Sequence, residues 1–159
     1  MEYPPTTTRA MSEKDLPKVS RLISGIFNKH DSSIAIGEIK FHFKCKKARI
    51  KDWENYVVAV IGKKIAGFMG YAKSKRVFWL SWLGVRKSCQ GKGVGKVLLN
   101  YAFGEAKKAR CRSFCIRCGS LPMFRKANIL YRSYGFKKKF SIRDYWSKGD
   151  HLVLVSKTL

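Results

Sequence analysis

The most informative segment of the chain lies at residues 85–96 and reads VRKSCQGKGVGK. Gly91, Gly93 and Gly95 stand at alternate positions, with lysines between and around them. The segment follows a β-branched and aromatic run that predicts a strand, and it precedes an apolar stripe that predicts a helix. Glycines let a backbone approach a ligand closely, and N–H groups at a helix N-terminus bind anions. The segment is therefore a candidate phosphate-binding loop.

Two common phosphate-binding loops do not fit this segment. An ATP-binding Walker loop needs glycine five residues before its Gly-Lys pair and serine or threonine after it, where this chain has Gln90 and Val97. A dinucleotide-binding G-x-G-x-x-G fingerprint would need glycine where the chain has Lys96 and Leu98. Taken alone, the segment could also be a basic turn that only caps a helix. The spacing that it does satisfy is Q-x-x-G-x-G, starting at Gln90.

The rest of the chain predicts alternating strands and helices. A short lead-in at residues 1–5, which we expect to be poorly ordered, precedes a first strand. Helices are then expected at 12–28 and 33–47, an antiparallel three-stranded meander at 56–61, 65–72 and 77–85, a helix at 96–109, a strand at 113–118, a helix at 123–134, and strands at 137–146 and 151–157. This order predicts a single α/β (α+β) domain over residues 1–159. Its central sheet is mixed, mostly antiparallel and of about seven strands, with helices on both faces.

The cellular setting is predicted from apolar content and cysteine usage. The longest strongly apolar stretch, at 77–85, is far too short to span a bilayer. The first eight residues lack the apolar core of a signal peptide, and five cysteines, an odd number, suit a reducing compartment. We expect a cytoplasmic protein that does not contact a membrane and that is a monomer or homodimer.

The cysteines also raise the question of a metal centre. Cys111, Cys115 and Cys118 have the spacing of a radical-SAM iron–sulfur motif. Here that spacing crosses a helix end and a strand, whose alternation sends Cys115 and Cys118 to opposite faces. Three scattered histidines do not favour zinc either. We expect no metal.

Two motifs together resemble the GNAT superfamily of acetyl-CoA-dependent N-acetyltransferases. The first is the Q-x-x-G-x-G loop, preceded by a strand that ends in Leu83-Gly84-Val85 and followed by Leu98-Leu99. The second lies about forty residues downstream, where residues 127–136 read ANILYRSYGF and are similar to the family's A-x-x-L-Y-x-x-x-G-F helix end. The predicted order of elements agrees with the family from Thr7 to Leu159.

The resemblance implies a cofactor site and a catalytic acid. In the family, the strand before the loop pairs with the pantetheine arm of acetyl-CoA, and the loop N–H groups surround the pyrophosphate. Tyr131 corresponds to the usual general acid, which protonates the departing thiolate; a packed helix aromatic is the alternative reading. The implied cofactor-binding residues are Leu83, Gly84, Val85, Gln90, Gly91, Lys92, Gly93, Val94, Gly95 and Lys96.

The resemblance leaves the general base open. A lysine-like amine has a pKa near 10.4, so a base or a water relay must remove a proton before the amine attacks the thioester directly in a ternary complex. Where relatives carry acidic residues on the strand before the loop, this chain has Trp79 and Ser81. His42 and Asp144 are the substitutes that the sequence offers.

Net charge bears on the acceptor. The chain has 34 Lys and Arg against 10 Asp and Glu, and residues 85–139 hold 15 of these cations and one acidic residue. The excess favours a peptide or protein amine, an anionic small molecule, or an acidic or nucleic-acid-associated partner, and disfavours polycations. A local acidic pocket of Glu38, Asp52 and Glu54 would instead favour a cationic acceptor. A further alternative is that the lysine-rich surface is only solvated and binds no acceptor. The rival function is a basic nucleic-acid-binding module with little or no turnover, suggested by aromatics and cations interleaved at residues 136–140.

Overall fold

The computed structural model describes residues 4–159, in which four α-helices and seven strands are present. The strands are β1 (Thr6–Ala10), β2 (Glu54–Ile61), β3 (Lys64–Ser74), β4 (Val77–Val85), β5 (Ser113–Cys118), β6 (Lys137–Ser147) and β7 (Asp150–Thr158). The helices are α1 (Leu16–Ile26), α2 (Lys29–Lys47), α3 (Val94–Lys108) and α4 (Arg125–Ser133), with short 3-10 turns at Glu13–Asp15, Lys87–Cys89 and Pro122–Phe124.

All seven strands belong to one sheet, in the order β1-β2-β3-β4-β5-β7-β6. β1 pairs antiparallel with β2, and β7 pairs antiparallel with both β5 and β6. β4 and β5 run parallel, as expected of strands joined through a helix, and their register covers Val77–Leu80. This mixed seven-stranded sheet confirms the predicted fold class.

The first of two compact units comprises residues 4–71 and 82–101. α1 and α2 bury apolar side chains against β2 and β3, because their apolar residues recur at helical spacing. The buried cluster includes Val19, Leu22, Ile23, Ile39, Phe43, Tyr56, Val58 and Phe68. Beside it, Arg9 donates to both carboxylate oxygens of Asp15, at 2.7 and 2.9 Å, and fastens β1 to the turn before α1.

The second unit comprises residues 72–81 and 102–159 and is built around aromatic rings. Phe114 on β5 lies 4.6 Å from Phe78 on β4, centroid to centroid, and 5.0 Å from both Phe103 and Phe136. α4 ends at Ser133, and Gly135 just beyond it has a φ of 84°, the left-handed conformation that favours glycine. Tyr131 on α4 packs against this aromatic cluster through Phe136.

Element boundaries differ from the sequence prediction at a few ends. α2 begins at Lys29 instead of 33, because the Asn28 side chain accepts a hydrogen bond from Asp31 N at 2.8 Å and caps the helix. α3 begins at Val94, two residues early. Of the lead-in expected to be poorly ordered, residues 1–3 lie outside the described part of the chain, and Pro4 and Pro5 are exposed and outside any strand. Within residues 4–159, no helix has the length and apolarity that a membrane span requires.

Candidate active site

The glycine loop connects β4 to α3, as its sequence predicts. The chain leaves β4 at Val85, makes one 3-10 turn and enters α3 at Val94. Gly91 and Gly93 have φ values of 74° and 80°, and a Cβ built on either meets no atom within 4 Å. The loop backbone is therefore left-handed and open at Gly93, which is a glycine of the Q-x-x-G-x-G motif, and at Gly91, which lies between Gln90 and Gly93.

Contacts within the first unit hold this loop in place. Arg86 donates from its backbone N to Ala66 O at 2.8 Å and from Nε to Ile65 O at 2.9 Å. Gln90 donates from Nε2 to Val85 O at 3.1 Å, so this side chain closes the loop on itself. Because of that bond, the role of Gln90 is at least partly structural.

A glycine on β3 lets strand and helix approach each other closely. A Cβ on Gly67 would lie 2.8 Å from Gly84 O and 3.1 Å from side-chain atoms of Leu98 and Val94. Val94 and Leu98 are both buried. The N-terminus of α3 is thus packed directly against the strands that carry the loop.

The chemical character of the loop suits a diphosphate. The first turn of α3 directs backbone N–H groups and the positive end of the helix dipole out of its N-terminus. Lys87, Lys92 and Lys96 are exposed around it. Leu83 and Val85 are half-buried at the end of β4, and Gly84 between them is buried against Ile26 and Phe68. The open backbone cradle and its positive charge fit the pyrophosphate of acetyl-CoA.

Tyr131 lies near the C-terminal end of α4 in the second unit. Its side chain is buried, and its ring centroid lies 6.1 Å from that of Phe136. Burial, and to a smaller extent nearby Cys118, raises the pKa of Tyr131 above the ordinary tyrosine value. The phenol therefore keeps its proton at neutral pH, as an acid must. A packed aromatic would show the same burial, so the catalytic role stays a prediction.

The two substitute bases lie in different surroundings. His42 is half-buried, and its Nδ1 lies 2.5 Å from Asp52 Oδ2. Asp144 is exposed in the β6–β7 hairpin, where it accepts a hydrogen bond from Gly149 N at 2.8 Å. Asp144 Oδ1 also lies 3.5 Å from His151 Nδ1, but the His42–Asp52 pair is shorter and less exposed.

The alternation of β5 separates two of the cysteines that have the iron–sulfur spacing. On β5, Phe114, Ile116 and Cys118 are buried while Cys115 is half-buried on the alternate face. Burial raises the pKa of the Cys118 thiol to about 12, which keeps it protonated. Across residues 4–159, no group of three or more His, Cys, Asp or Glu side chains is arranged to hold a metal ion.

One cavity in the first unit groups three acidic residues, an arrangement that the sequence analysis left open. It lies between α2 and the start of β2 and is lined by Glu38, Asp52 and Glu54 together with Tyr56. These three carboxylates together favour a cationic acceptor, although the net charge of the chain disfavours one. Tyr56 carries no sequence signal for such a role, because in the sequence it reads as one apolar position of a strand.

Comparison with known proteins supports the fold described above and covers the region that contains the glycine loop. The family model described as "Acetyltransferase (GNAT) domain" matches residues 52–138, which is more than half of the chain. That span contains the glycine loop and Tyr131. The chain therefore belongs to the GNAT family, and it is an acetyl-CoA-dependent N-acetyltransferase.

Solved structures share this fold at low sequence identity. A GNAT-family protein from Desulfovibrio desulfuricans superposes with a TM-score of 0.84 at 16% identity, covering 97% of this chain and 99% of the other. The ribosomal-protein-S18-alanine N-acetyltransferase of Escherichia coli gives 0.75 at 16% identity, covering 97% and 94%. An aminoglycoside 6'-N-acetyltransferase complexed with coenzyme A gives 0.72 at 15% identity, covering 96% of each chain. No protein of curated function matches the sequence significantly.

Proposed function

We propose that this protein transfers the acetyl group of acetyl-CoA to a primary amine by direct attack within a ternary complex. The observation that carries the proposal is the uncovered, left-handed backbone at Gly91 and Gly93, at the N-terminus of α3 and inside the matched family region. When bound, acetyl-CoA supplies a thioester carbonyl that an uncharged amine can attack.

The chain's contribution to cofactor binding falls into two parts. The backbone of Leu83, Gly84 and Val85 at the end of β4 would pair with the pantetheine arm, as the family resemblance implies. The N–H groups of residues 90–96 would bind the pyrophosphate, and the loop lysines would add charge. The side chain of Gln90 would keep the loop in shape through its bond to Val85.

Proton transfers are assigned to two side chains. His42, oriented by Asp52, would accept a proton from the ammonium form of the acceptor, either directly or through water. Tyr131, which keeps its proton at neutral pH, would donate that proton to the departing sulfur. A thiol with a pKa near 8.5 is a fair leaving group, so the acid needs only to assist.

The rival nucleic-acid-binding function is less well supported. It relied on alternating aromatic and cationic residues at 136–140, but Phe136 is buried in the aromatic core of the second unit. Lys137–Lys139 and Phe140 are exposed. Only Phe140 of the two phenylalanines in this segment is therefore available to stack on a base. A binding module also has no need for the glycine loop.

An acetyl-CoA turnover assay tests the proposal. Amino acids, peptides, aliphatic amines and nucleotide sugars serve as acceptors, and release of the CoA thiol is the readout. Acetyl-CoA binding is measured separately by the rise in melting temperature, because a ligand that binds only the native state stabilises it. No shift at millimolar acetyl-CoA, together with no thiol release, would refute the enzyme function.

A further inference from the structure

The cavity between α2 and β2 has an unusual charge for this protein. It is an open surface groove of about 580 Å³ in which Glu38 is exposed, and its lining contains Glu38, Asp52 and Glu54 but no Lys or Arg among residues 4–159. The whole chain has 10 acidic residues against 34 Lys and Arg. Three of those ten acids therefore converge on one cavity, which makes it a local negative site on a strongly basic protein.

A buried hydroxyl in the same cavity lacks a partner. Tyr56 lines the cavity and is 4% exposed. Its hydroxyl oxygen has no hydrogen-bond partner within residues 4–159. Buried polar atoms are nearly always paired in native proteins, so the hydroxyl of a residue that lines this cavity is available to hydrogen-bond a ligand bound there. Burial, followed by the charges of Glu54, Glu38 and Asp52, raises the pKa of Tyr56, so this hydroxyl stays neutral and can accept a hydrogen bond from a cation.

Two of the three carboxylates accept or share hydrogen bonds with neighbouring side chains. Trp82 Nε1 donates to Glu38 Oε2 at 2.6 Å, and Asp52 Oδ2 lies 2.5 Å from His42 Nδ1. The indole is an uncharged donor, so it orients the Glu38 carboxylate without neutralising it. Trp82 also directly precedes Leu83 on β4. The cavity thus adjoins the strand assigned above to the pantetheine arm.

The cavity wall contributed by α2 is apolar. Ile34 and Phe41 line it and are 41% and 63% exposed. Large apolar side chains beside carboxylates suit a ligand with a hydrocarbon chain between charged ends. An aromatic face such as that of Phe41 also attracts ammonium groups.

We propose that this cavity binds the acceptor and selects an aliphatic amine that carries a second positive charge. The inference rests on the acetyltransferase function proposed above. One ammonium group lies among the carboxylates and the Tyr56 hydroxyl, and the methylenes lie on Ile34 and Phe41. The other amine loses one proton, forms the amide C–N bond as the thioester C–S bond breaks, and loses a second proton. CoA leaves as the thiol, so one proton is released overall.

Three acceptors of equal length test the selection. They are 1,4-diaminobutane, 1-aminobutane and 4-aminobutanoate, which place a cation, no charge or an anion opposite the reacting amine. After correction for its two equivalent amines, 1,4-diaminobutane should have a kcat/KM at least tenfold above that of 1-aminobutane, with 4-aminobutanoate lowest. Equal or reversed ranking would overturn the proposal.

Charge-neutralising variants test whether the cavity carboxylates cause this preference for 1,4-diaminobutane. Glu38→Gln and Glu54→Gln should each raise the KM for 1,4-diaminobutane about tenfold and that for 1-aminobutane less than threefold. The matched control is Glu13→Gln, which removes the same charge from an exposed residue paired with Lys47. If the control and the cavity variants behave alike, the cavity does not bind the acceptor.

Tyr56→Phe supplies a variant that should fold normally. The hydroxyl has no partner to lose, so the melting temperature should not fall, while binding of 1,4-diaminobutane should weaken several-fold. Binding is measured by calorimetry with CoA present. Acetyl-CoA binding and turnover with other acceptors but not with diamines would refute the cavity assignment and leave the enzyme function intact. Calorimetric binding of 1,4-diaminobutane without any acetyl-CoA binding would refute the enzyme function and leave the cavity assignment intact.

Discussion

Substitution of Gly93 by alanine tests the assignment of the glycine loop to the cofactor. Gly93 has a φ of 80°, and a Cβ built there meets no atom within 4 Å. The cost to folding is therefore the backbone cost alone, about 1–2 kcal/mol for an L-residue in the left-handed region. For a chain of this length, that corresponds to a fall in melting temperature of about 2–8 °C. The added methyl group occupies the open face of the loop, so acetyl-CoA affinity should fall at least tenfold, or by about 1.4 kcal/mol.

Gly149→Ala is the matched control. Gly149, in the turn between β6 and β7, has a φ of 85°, and its Cβ would also meet nothing within 4 Å. Both variants should lose the same stability, measured by thermal unfolding without ligand, but only Gly93→Ala should lose acetyl-CoA affinity, measured by calorimetry. Equal acetyl-CoA affinities in the two variants would show that the loop does not hold the cofactor.

Three other predictions concern the acid, the fold and the loop charge. Tyr131→Phe should leave acetyl-CoA affinity unchanged and lower kcat about a hundredfold, the scale expected for a general acid; full activity with every acceptor would mean that Tyr131 only packs. Arg9 lowers the pKa of Asp15 to about 2, so the stabilisation from this pair is complete above about pH 4 and is lost as the pH falls towards 2. Asp15→Asn should therefore unfold more easily at pH 7 by about 1–2 kcal/mol and show less acid sensitivity than the wild type in urea titrations. Acetyl-CoA affinity should fall with added salt if the loop lysines act through charge, and an unchanged affinity would indicate that backbone and apolar contacts dominate.

The sequence predicts the fold of this protein well because its signals are local. Strands β2, β3 and β4 are alternating or apolar runs separated by short turns, such as the one at Gly62, whose φ is 59°. Gly135 terminates α4 as predicted, with a φ of 84°. The start of α2 was missed by four residues, because Asn28 caps it from a position where no apolar periodicity has begun.

The acceptor cavity could not be predicted with the same certainty, because it depends on contacts between distant positions. Glu38 on α2 and Glu54 on β2 face one cavity only because α2 packs over the beginning of β2. The sequence contains no pattern that requires these residues to come together. Hydrophobic periodicity predicts that Tyr56 is buried, but it does not predict that the Tyr56 hydroxyl is unpaired.

The net charge of the chain and the local charge at the cavity have opposite signs, and they act on a ligand at different distances. At physiological ionic strength, charges are screened over about 8 Å, so most of the chain's 24 net positive charges act weakly on a ligand already inside the cavity. A carboxylate 4 Å from an ammonium group contributes about 4 kcal/mol of attraction at an effective dielectric constant near 20. Glu38, held by the uncharged Trp82 donor, and Glu54 therefore make the potential negative at the proposed acceptor site, while Asp52 is paired with His42. The lysine excess acts on what approaches the protein from solution, and it favours the polyanionic cofactor. One basic chain can in this way attract acetyl-CoA at a distance and still hold a cation at the site where the amine must react.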